Sequence, residues 1–269
     1  MTYTRRYNAG NHKTKKARQI IGGDNVIFDA VIDNNIELVT KLLHKSPSLV
    51  YTKDEFNRTP ILYASTKEDA KIVKLLIKNG AKVNIYDNNH ITPLYIACDH
   101  NNYNAVEALI RANAKRNSKN GEDAETPLHI ACVVESAAIP NLLIENGANV
   151  NARDINRLTP LHYASMSEST NNVITLIDNN AKVNVQDVAG ETPLHYACKE
   201  NADDIINILI ENGGNIFLTN MNEQTPFDLY TGDHEQIDEF QQKWTDSHFL
   251  PKTPSKSTKG AGKMTRNRK

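Results

Sequence analysis

A short pattern that recurs at an almost constant interval constrains this chain more than any other feature. It reads Glu-Thr-Pro-Leu-His-Tyr-Ala-Cys at residues 191–198, and close copies stand at 158–165 and 125–132. Weaker copies begin with the Thr-Pro pairs at 59–60, 92–93 and 225–226. The intervals between successive threonines are 33, 34, 33, 33 and 33 residues. A chain with this periodicity folds as a row of similar units, each of which buries its apolar face against its neighbours.

Each unit is predicted to contain two helices followed by an extended finger. Threonine is a good N-cap and proline suits the first helical position, so Thr-Pro predicts the start of the first helix. Apolar pairs such as Ile205-Ile206 and Ile208-Leu209 predict a second, amphipathic helix. Glycine or asparagine then follows, and both tolerate the left-handed backbone that often ends a helix. These residues are Gly80, Asn113, Gly147, Asn180 and Gly213.

A unit of this length that opens with Thr-Pro-Leu-His resembles the ankyrin repeat. The resemblance extends over roughly residues 22–245 and includes six copies of the Thr-Pro pair in register. It implies an all-α fold, an ankyrin-repeat solenoid of stacked helix-turn-helix pairs with fingers that resemble β-hairpins. We count about seven repeats and expect the first and the last to be atypical, because each has one face in water. The predicted organisation is a basic disordered arm at 1–20, the repeat array at 21–245 and a basic disordered tail at 246–269.

The charges of the chain are segregated, although its net charge is only −1. Thirteen of the 31 Lys and Arg residues lie in residues 1–20 and 252–269, which contain no Asp or Glu. The array therefore holds 18 basic residues against all 32 acidic residues. We expect an acidic array of this kind to bind a protein partner with a basic or mixed surface. The arms are interpreted either as solvated tails without a function or as the one part of the chain that could contact nucleic acid.

The apolar residues do not predict a membrane protein. No apolar stretch reaches the roughly 18 residues that a transmembrane helix needs, and the mean hydropathy is −0.54. The basic residues near the N-terminus are not followed by the apolar stretch of a secretory signal peptide. We expect a cytoplasmic monomer that does not interact with membranes. Nuclear entry through the basic arms, and delivery as an effector into the cells of another organism, remain open as alternatives.

The histidines and cysteines recur once per unit, which argues against a catalytic or metal site. His129, His162 and His195 occupy one position of the pattern, so they should lie about 10 Å apart along the stack. That distance is too long for a shared metal or for a base and its nucleophile. The resemblance implies that these histidines join neighbouring units by hydrogen bonds. Cys98, Cys132 and Cys198 also share one position and are interpreted as small core residues. We therefore expect a non-enzymatic protein with no cofactor, no metal and no catalytic residues.

The resemblance also implies that a partner protein binds to the finger tips and to the concave face formed by the first helices. The candidate partner-binding residues at these positions are Phe56, Arg58, His90, Ile91, Val133, Val134, Arg157, Leu158 and Met166. Four residues of this set are apolar where polar residues are expected, namely Ile91, Val133, Leu158 and Met166. They are interpreted either as an exposed apolar cluster that binds the partner or as residues that pack beneath the fingers.

Overall fold

The structure, a computed structural model, describes residues 26–249. Seven consecutive units follow one another in this part of the chain. Units 2 to 7 each consist of a finger and the helices that follow it, and their Thr-Pro pairs begin at residues 59, 92, 126, 159, 192 and 225, in that order. The α-helices are α1 Val26–Ile32 and α2 Ile36–Lys45, α3 Pro60–Ala64 and α4 Lys71–Lys78, α5 Pro93–Asp99 and α6 Tyr103–Arg111, α7 Pro127–Ala131 and α8 Ala138–Glu145, α9 Pro160–Met166 and α10 Thr170–Asp178, α11 Pro193–Lys199 and α12 Asp203–Glu211, and α13 His234–Phe249. Two 3₁₀ helices, Pro47–Tyr51 and Pro226–Leu229, lie after α2 and before α13.

The Thr-Pro pairs start the first helices as the sequence predicts. Thr192 has extended backbone angles, its hydroxyl accepts a hydrogen bond from the His195 N–H, and proline occupies the first helical position. The second helices end on left-handed residues, since φ is 88° at Gly80 and 63° at Asn113. These local signals recur in successive units, so the helix boundaries recur with the same period.

The second helices stabilise the array by burying one face. Ile205, Ile206 and Leu209 of α12 are almost fully buried, and they belong to one continuous core that extends from α1 to α13. Each first helix packs against the first helices of the units before and after it, and each second helix does the same. Helices of about two turns are marginal alone, so this stacking supplies most of their stability.

The last helix extends beyond the predicted end of the array. Phe240 is fully buried against Phe227 and Tyr230, which supports the prediction that this helix caps the stack. The helix continues to Phe249, however, so residues 246–249 are helical and do not belong to the predicted tail. Residues 246–248 are polar and give no apolar spacing from which a helix could be predicted, and the first residue that a helix interior excludes is Pro251. The arm at 1–20 and the tail from residue 250 lie outside the described residues.

The fingers contain little regular β-structure. Between residues 26 and 249, the one β-bridge is the isolated antiparallel pair Asn120 and Glu125 in the finger of the fourth unit. The same part of the chain contains no helix that is long and apolar enough to cross a membrane.

Candidate protein-binding surface

One side chain replaces a backbone turn in the fingers of units 2, 3, 5, 6 and 7, whereas the finger of unit 4 is closed by the bridge between Asn120 and Glu125. In unit 6, the Asp187 carboxylate accepts hydrogen bonds from the N–H groups of Ala189 and Glu191, both at 2.8 Å. Short Asp and Asn side chains favour such turns because they reach the backbone two to four residues ahead. The equivalent residues in the other fingers are Asp54, Asp87, Asp154 and Asn220. The tip residues have left-handed backbones and are Asn57, His90, Ala124, Arg157, Gly190 and Glu223.

Neighbouring fingers are joined by backbone hydrogen bonds close to their tips. The Asn88 N–H donates to the Phe56 carbonyl at 3.0 Å, and the Val188 N–H donates to the Asn156 carbonyl at 3.0 Å. The Ile155 N–H makes the same kind of bond to the Asp123 carbonyl at 2.8 Å. Unit 3 is joined to unit 4 through a side chain instead, since the Thr92 N–H donates to the side-chain oxygen of Asn120 at 2.9 Å. The fingers therefore form one connected row, held at a fixed spacing by the stacked helices.

The three repeated histidines join successive units, as the resemblance implied. Nε2 of His162 donates to the Glu191 carbonyl of the next unit at 3.3 Å, while its Nδ1 accepts from the Thr159 N–H and hydroxyl. His129 and His195 make the same contacts to the carbonyls of Leu158 and Gln224. Burial lowers the pKa of His129 and of His162 to about 4, so both rings are neutral at neutral pH.

Four of the predicted partner-binding residues have polar or aromatic surface on the fingers. Phe56 is 46% exposed and its ring lies 5.2 Å from the Arg58 guanidinium. Arg58 is half-buried, and its Nε donates to the Asp87 carboxylate at 3.2 Å, so it also joins two fingers. His90 and Arg157 are exposed at finger tips, and the His90 ring stacks on Tyr86.

The predicted apolar cluster is divided between the core and the surface. Ile91 is 8% exposed and packs against Leu62 and Ile96, and Leu158 is 6% exposed in the main core. For these two residues the interpretation as packing beneath the fingers is confirmed, because they immediately precede the threonine caps and point inwards. Three residues remain partly accessible on the first-helix side, namely Val133, Val134 and Met166.

A different set of apolar residues is exposed on the fingers of units 5, 6 and 7. We call it the apolar fingertip row, and it consists of Ile155, Val188 and Met221, with exposed fractions of 62%, 46% and 77%. All three stand four residues before the threonine of the Thr-Pro pair of their unit, whereas Glu55 and Asn88 occupy this position in units 2 and 3. Aligning the units at this position groups the three apolar residues from the sequence, and the structure adds that all three are exposed.

The structure also places a buried carboxylate beneath the central fingers. Glu125 accepts hydrogen bonds from the hydroxyl of Tyr163, at 2.7 Å, and from that of Tyr95. These tyrosines belong to units 3 and 5, so a residue of unit 4 joins three units. Sequence reasoning missed this contact because the three residues are 30 and 38 positions apart. Within residues 26–249, no group of three or more His, Cys, Asp or Glu side chains has the geometry to hold a metal ion.

Comparisons with known proteins agree with this geometry. A family model described as ankyrin repeats matches the chain three times, over residues 27–120, 112–187 and 128–223. The sequence has no match among curated proteins.

Two solved structures resemble the array in fold. The ankyrin repeat domain of Bcl-3, described as a unique member of the IkappaB protein family, is 25% identical with a TM-score of 0.71, and the match covers 82% of this chain and 100% of that one. The human ASB11 ankyrin repeat domain is 21% identical with a TM-score of 0.73, and the match covers 81% and 97% of the two chains. Because the matches to the family model cover well over half of this chain, the chain belongs to the ankyrin repeat family.

Proposed function

We propose that the protein is a non-enzymatic interaction module that binds a partner protein along the fingers and the concave face of its array. The ankyrin repeat is a general protein-interaction fold, which supports this assignment at its coarsest level. The observation that carries the finer proposal is the connected row of finger tips. Hydrogen bonds between neighbouring fingers hold the row together while side chains such as those of Phe56, His90 and Arg157 stay exposed. A preorganised surface of this kind binds without a large ordering cost.

A capture experiment with surface variants tests this proposal. The full chain is immobilised and compared with a finger variant that combines Phe56→Glu, His90→Glu and Arg157→Glu. The control is Lys74→Glu, which changes the charge on the exposed face of α4. Leu158 and Ile91 are not substituted, because a charge at either buried position would disrupt the fold.

We expect the native chain and the Lys74→Glu control to retain the same partner and the finger variant to lose it. Circular dichroism should be unchanged in both variants. A partner that stays bound to the finger variant but is lost from the Lys74→Glu control would contradict binding through the fingers.

A second candidate function rests on the charge of the arms. Their 13 basic residues without an acidic residue favour contact with nucleic acid, and the array would then recruit a protein factor to it. Replacing all 13 with glutamine should abolish nucleic-acid binding and its salt dependence. If the binding is unchanged by these replacements, the arms do not carry it.

We further propose that the protein works as a monomer in the cytoplasm. The three cysteines are unpaired and buried in the array, which suits a reducing compartment. Sedimentation velocity and imaging of a fluorescent fusion test the two statements. Nuclear or secreted protein would favour the alternatives of nuclear entry or delivery into other cells.

A further inference from the structure

The acidic excess of the array is confined to its C-terminal half. Residues 26–125 contain 13 Asp and Glu and 13 Lys and Arg, so this half has no net charge. Residues 126–249 contain 18 acidic residues and five basic residues. The array therefore changes from neutral to strongly acidic along its length.

The ends of the first helices, which border the expected concave face, follow this change in part. The residue eight positions after each threonine lies at the end of a first helix or just beyond it. From unit 2 to unit 7, this residue is Lys67, His100, Val134, Ser167, Glu200 and Asp233. Glu200 and Asp233 are exposed, and one position further on an exposed glutamate stands in units 2, 4 and 5, at Glu68, Glu135 and Glu168. Each of units 5 to 7 thus has an exposed carboxylate at this end of its first helix, whereas in unit 2 Lys67 stands beside Glu68.

The apolar fingertip row lies in the same three units. Ile155, Val188 and Met221 follow the closing Asp or Asn of their fingers, and the Val188 and Met221 N–H groups bond to the preceding finger. Three large apolar side chains that remain exposed at a single repeat position form a stripe with no covering residue among those described. Arg153 and Arg157, each two residues from Ile155, are the basic residues nearest to this stripe in sequence, and the carboxylates of these units outnumber them.

We propose that units 5 to 7 form a docking site for an extended, positively charged segment of a partner protein that carries regularly spaced apolar side chains. The apolar side chains contact the fingertip row, and the basic residues face Glu168, Glu200 and Asp233. Charge complementarity selects this partner chemistry, because an acidic or neutral segment gains nothing from these carboxylates. This proposal rests on the proposed protein-binding function and gives it a location and a partner chemistry.

The spacing of the units sets the spacing of the partner's apolar residues. Stacked helices lie about 8–10 Å apart, and a segment in the extended polyproline II conformation advances about 3.1 Å per residue with three residues per turn. Every third side chain of such a segment therefore points to the same side and meets the next finger. Two basic residues then separate each pair of apolar residues.

A synthetic peptide of repeated Leu-Lys-Lys triplets is the probe, and fluorescence anisotropy with the full chain is the measurement. We expect this peptide to bind at least about tenfold more tightly than a Ser-Lys-Lys peptide, while a Leu-Glu-Glu peptide does not bind. Binding should weaken as salt rises from about 50 mM to about 200 mM.

Protein variants locate the binding. The combination of Ile155→Ser, Val188→Ser and Met221→Ser should weaken binding of the Leu-Lys-Lys peptide at least about tenfold. A matched control, Tyr103→Ser with Ile174→Ser, removes exposed apolar side chains elsewhere on the array and should leave the affinity unchanged. A second variant, Glu168→Gln with Glu200→Gln, should weaken binding and reduce its salt dependence without touching the apolar row.

Three results would overturn the proposal. The first is equal binding of the Leu-Lys-Lys and Ser-Lys-Lys peptides, and the second is equal loss in the fingertip variant and its matched control. The third is tighter binding after the basic residues of 250–269 are replaced with glutamine, which would show that the chain's own tail occupies the surface. If one of these three results is found while the combined Phe56→Glu, His90→Glu and Arg157→Glu variant still loses the captured partner, the docking site is wrong but the protein-binding function stands.

Discussion

At the scale of single residues, the hydrogen bond of the repeated threonine hydroxyl depends on which residue stands three positions later. In units 4 to 6, the threonine hydroxyl bonds to Nδ1 of the histidine three residues later. Leu62 takes the place of that histidine in unit 2, and among the described residues the buried Thr59 hydroxyl has no hydrogen-bond partner. A buried hydroxyl without a partner is destabilising.

We predict opposite effects for the same substitution at two threonines. Thr59→Val removes an unsatisfied hydroxyl and should raise the free energy of unfolding by about 1 kcal/mol. Thr159→Val breaks the bond to His162 and should lower it by about 1–2 kcal/mol. Urea denaturation of both variants measures these changes. Equal destabilisation by the two substitutions would show that the Thr59 hydroxyl is satisfied.

The buried histidines predict a loss of stability on acidification. Since the folded-state pKa of His129 and His162 is lowered to about 4, the unfolded chain takes up these protons first as the pH falls below the ordinary value of 6.5. Stability is therefore full above that value and declines down to about pH 4. Each histidine should contribute a slope of up to about 1.4 kcal/mol per pH unit.

Unfolding measured between pH 7.5 and pH 4.5 tests this slope. In the His162→Gln variant the dependence on pH should be shallower, because one titrating group is missing. A variant that is less stable but has the native pH dependence would argue against the neutral, buried ring.

At the scale of the helix, burial of one face matters more than helix propensity. The α12 helix has nine residues and is too short to be stable alone, yet it fits the core through Ile205, Ile206 and Leu209. The α13 helix has 16 residues, and among residues 235–246, whose side chains the structure describes, only Phe240 is fully buried, as a terminal helix with one face in water requires.

We predict that Leu209→Ala lowers the free energy of unfolding by about 2–5 kcal/mol, because it opens a cavity where α12 meets the core. The matched control is Ile174→Ala on the exposed side of α10, which should change stability by less than about 0.5 kcal/mol. Chemical denaturation compares the two variants. Similar losses at both positions would mean that stacking does not bury Leu209.

At the scale of the whole molecule, Glu125 of unit 4 links units 3 and 5, which do not follow one another in the chain. Its carboxylate accepts from Tyr95 of unit 3 and Tyr163 of unit 5, and the Tyr163 hydroxyl also lies 3.1 Å from the Asp154 carboxylate. Burial and the nearby Glu125 carboxylate both raise the pKa of Tyr95, so its hydroxyl stays protonated and donates. The centre of the array is thus joined by hydrogen bonds as well as by packing.

We predict that Glu125→Gln lowers the free energy of unfolding by about 1–3 kcal/mol, because bonds to a charged acceptor are replaced with weaker neutral ones. Glu122→Gln, in the same finger but exposed, is the control and should have little effect. Hydrogen exchange should show faster opening of units 3 to 5 in the Glu125 variant. Unchanged exchange there would indicate that Glu125 does not couple these units.

The repeated residues were enough to predict the period, the helix pairs and the left-handed helix ends, and the resemblance to the ankyrin repeat implied the histidine contacts between units. Each of these depends on hydrogen bonds within one unit or on a contact that recurs from unit to unit, so it appears as a repeated residue at a constant interval. Which finger residues are exposed became clear only from the stacked units. Ile91 and Ile155 are both finger isoleucines, yet one precedes the threonine cap and is buried while the other stands near the tip and is exposed. Exposure and the Glu125 contacts depend on how three successive units stack, and no single unit encodes that arrangement.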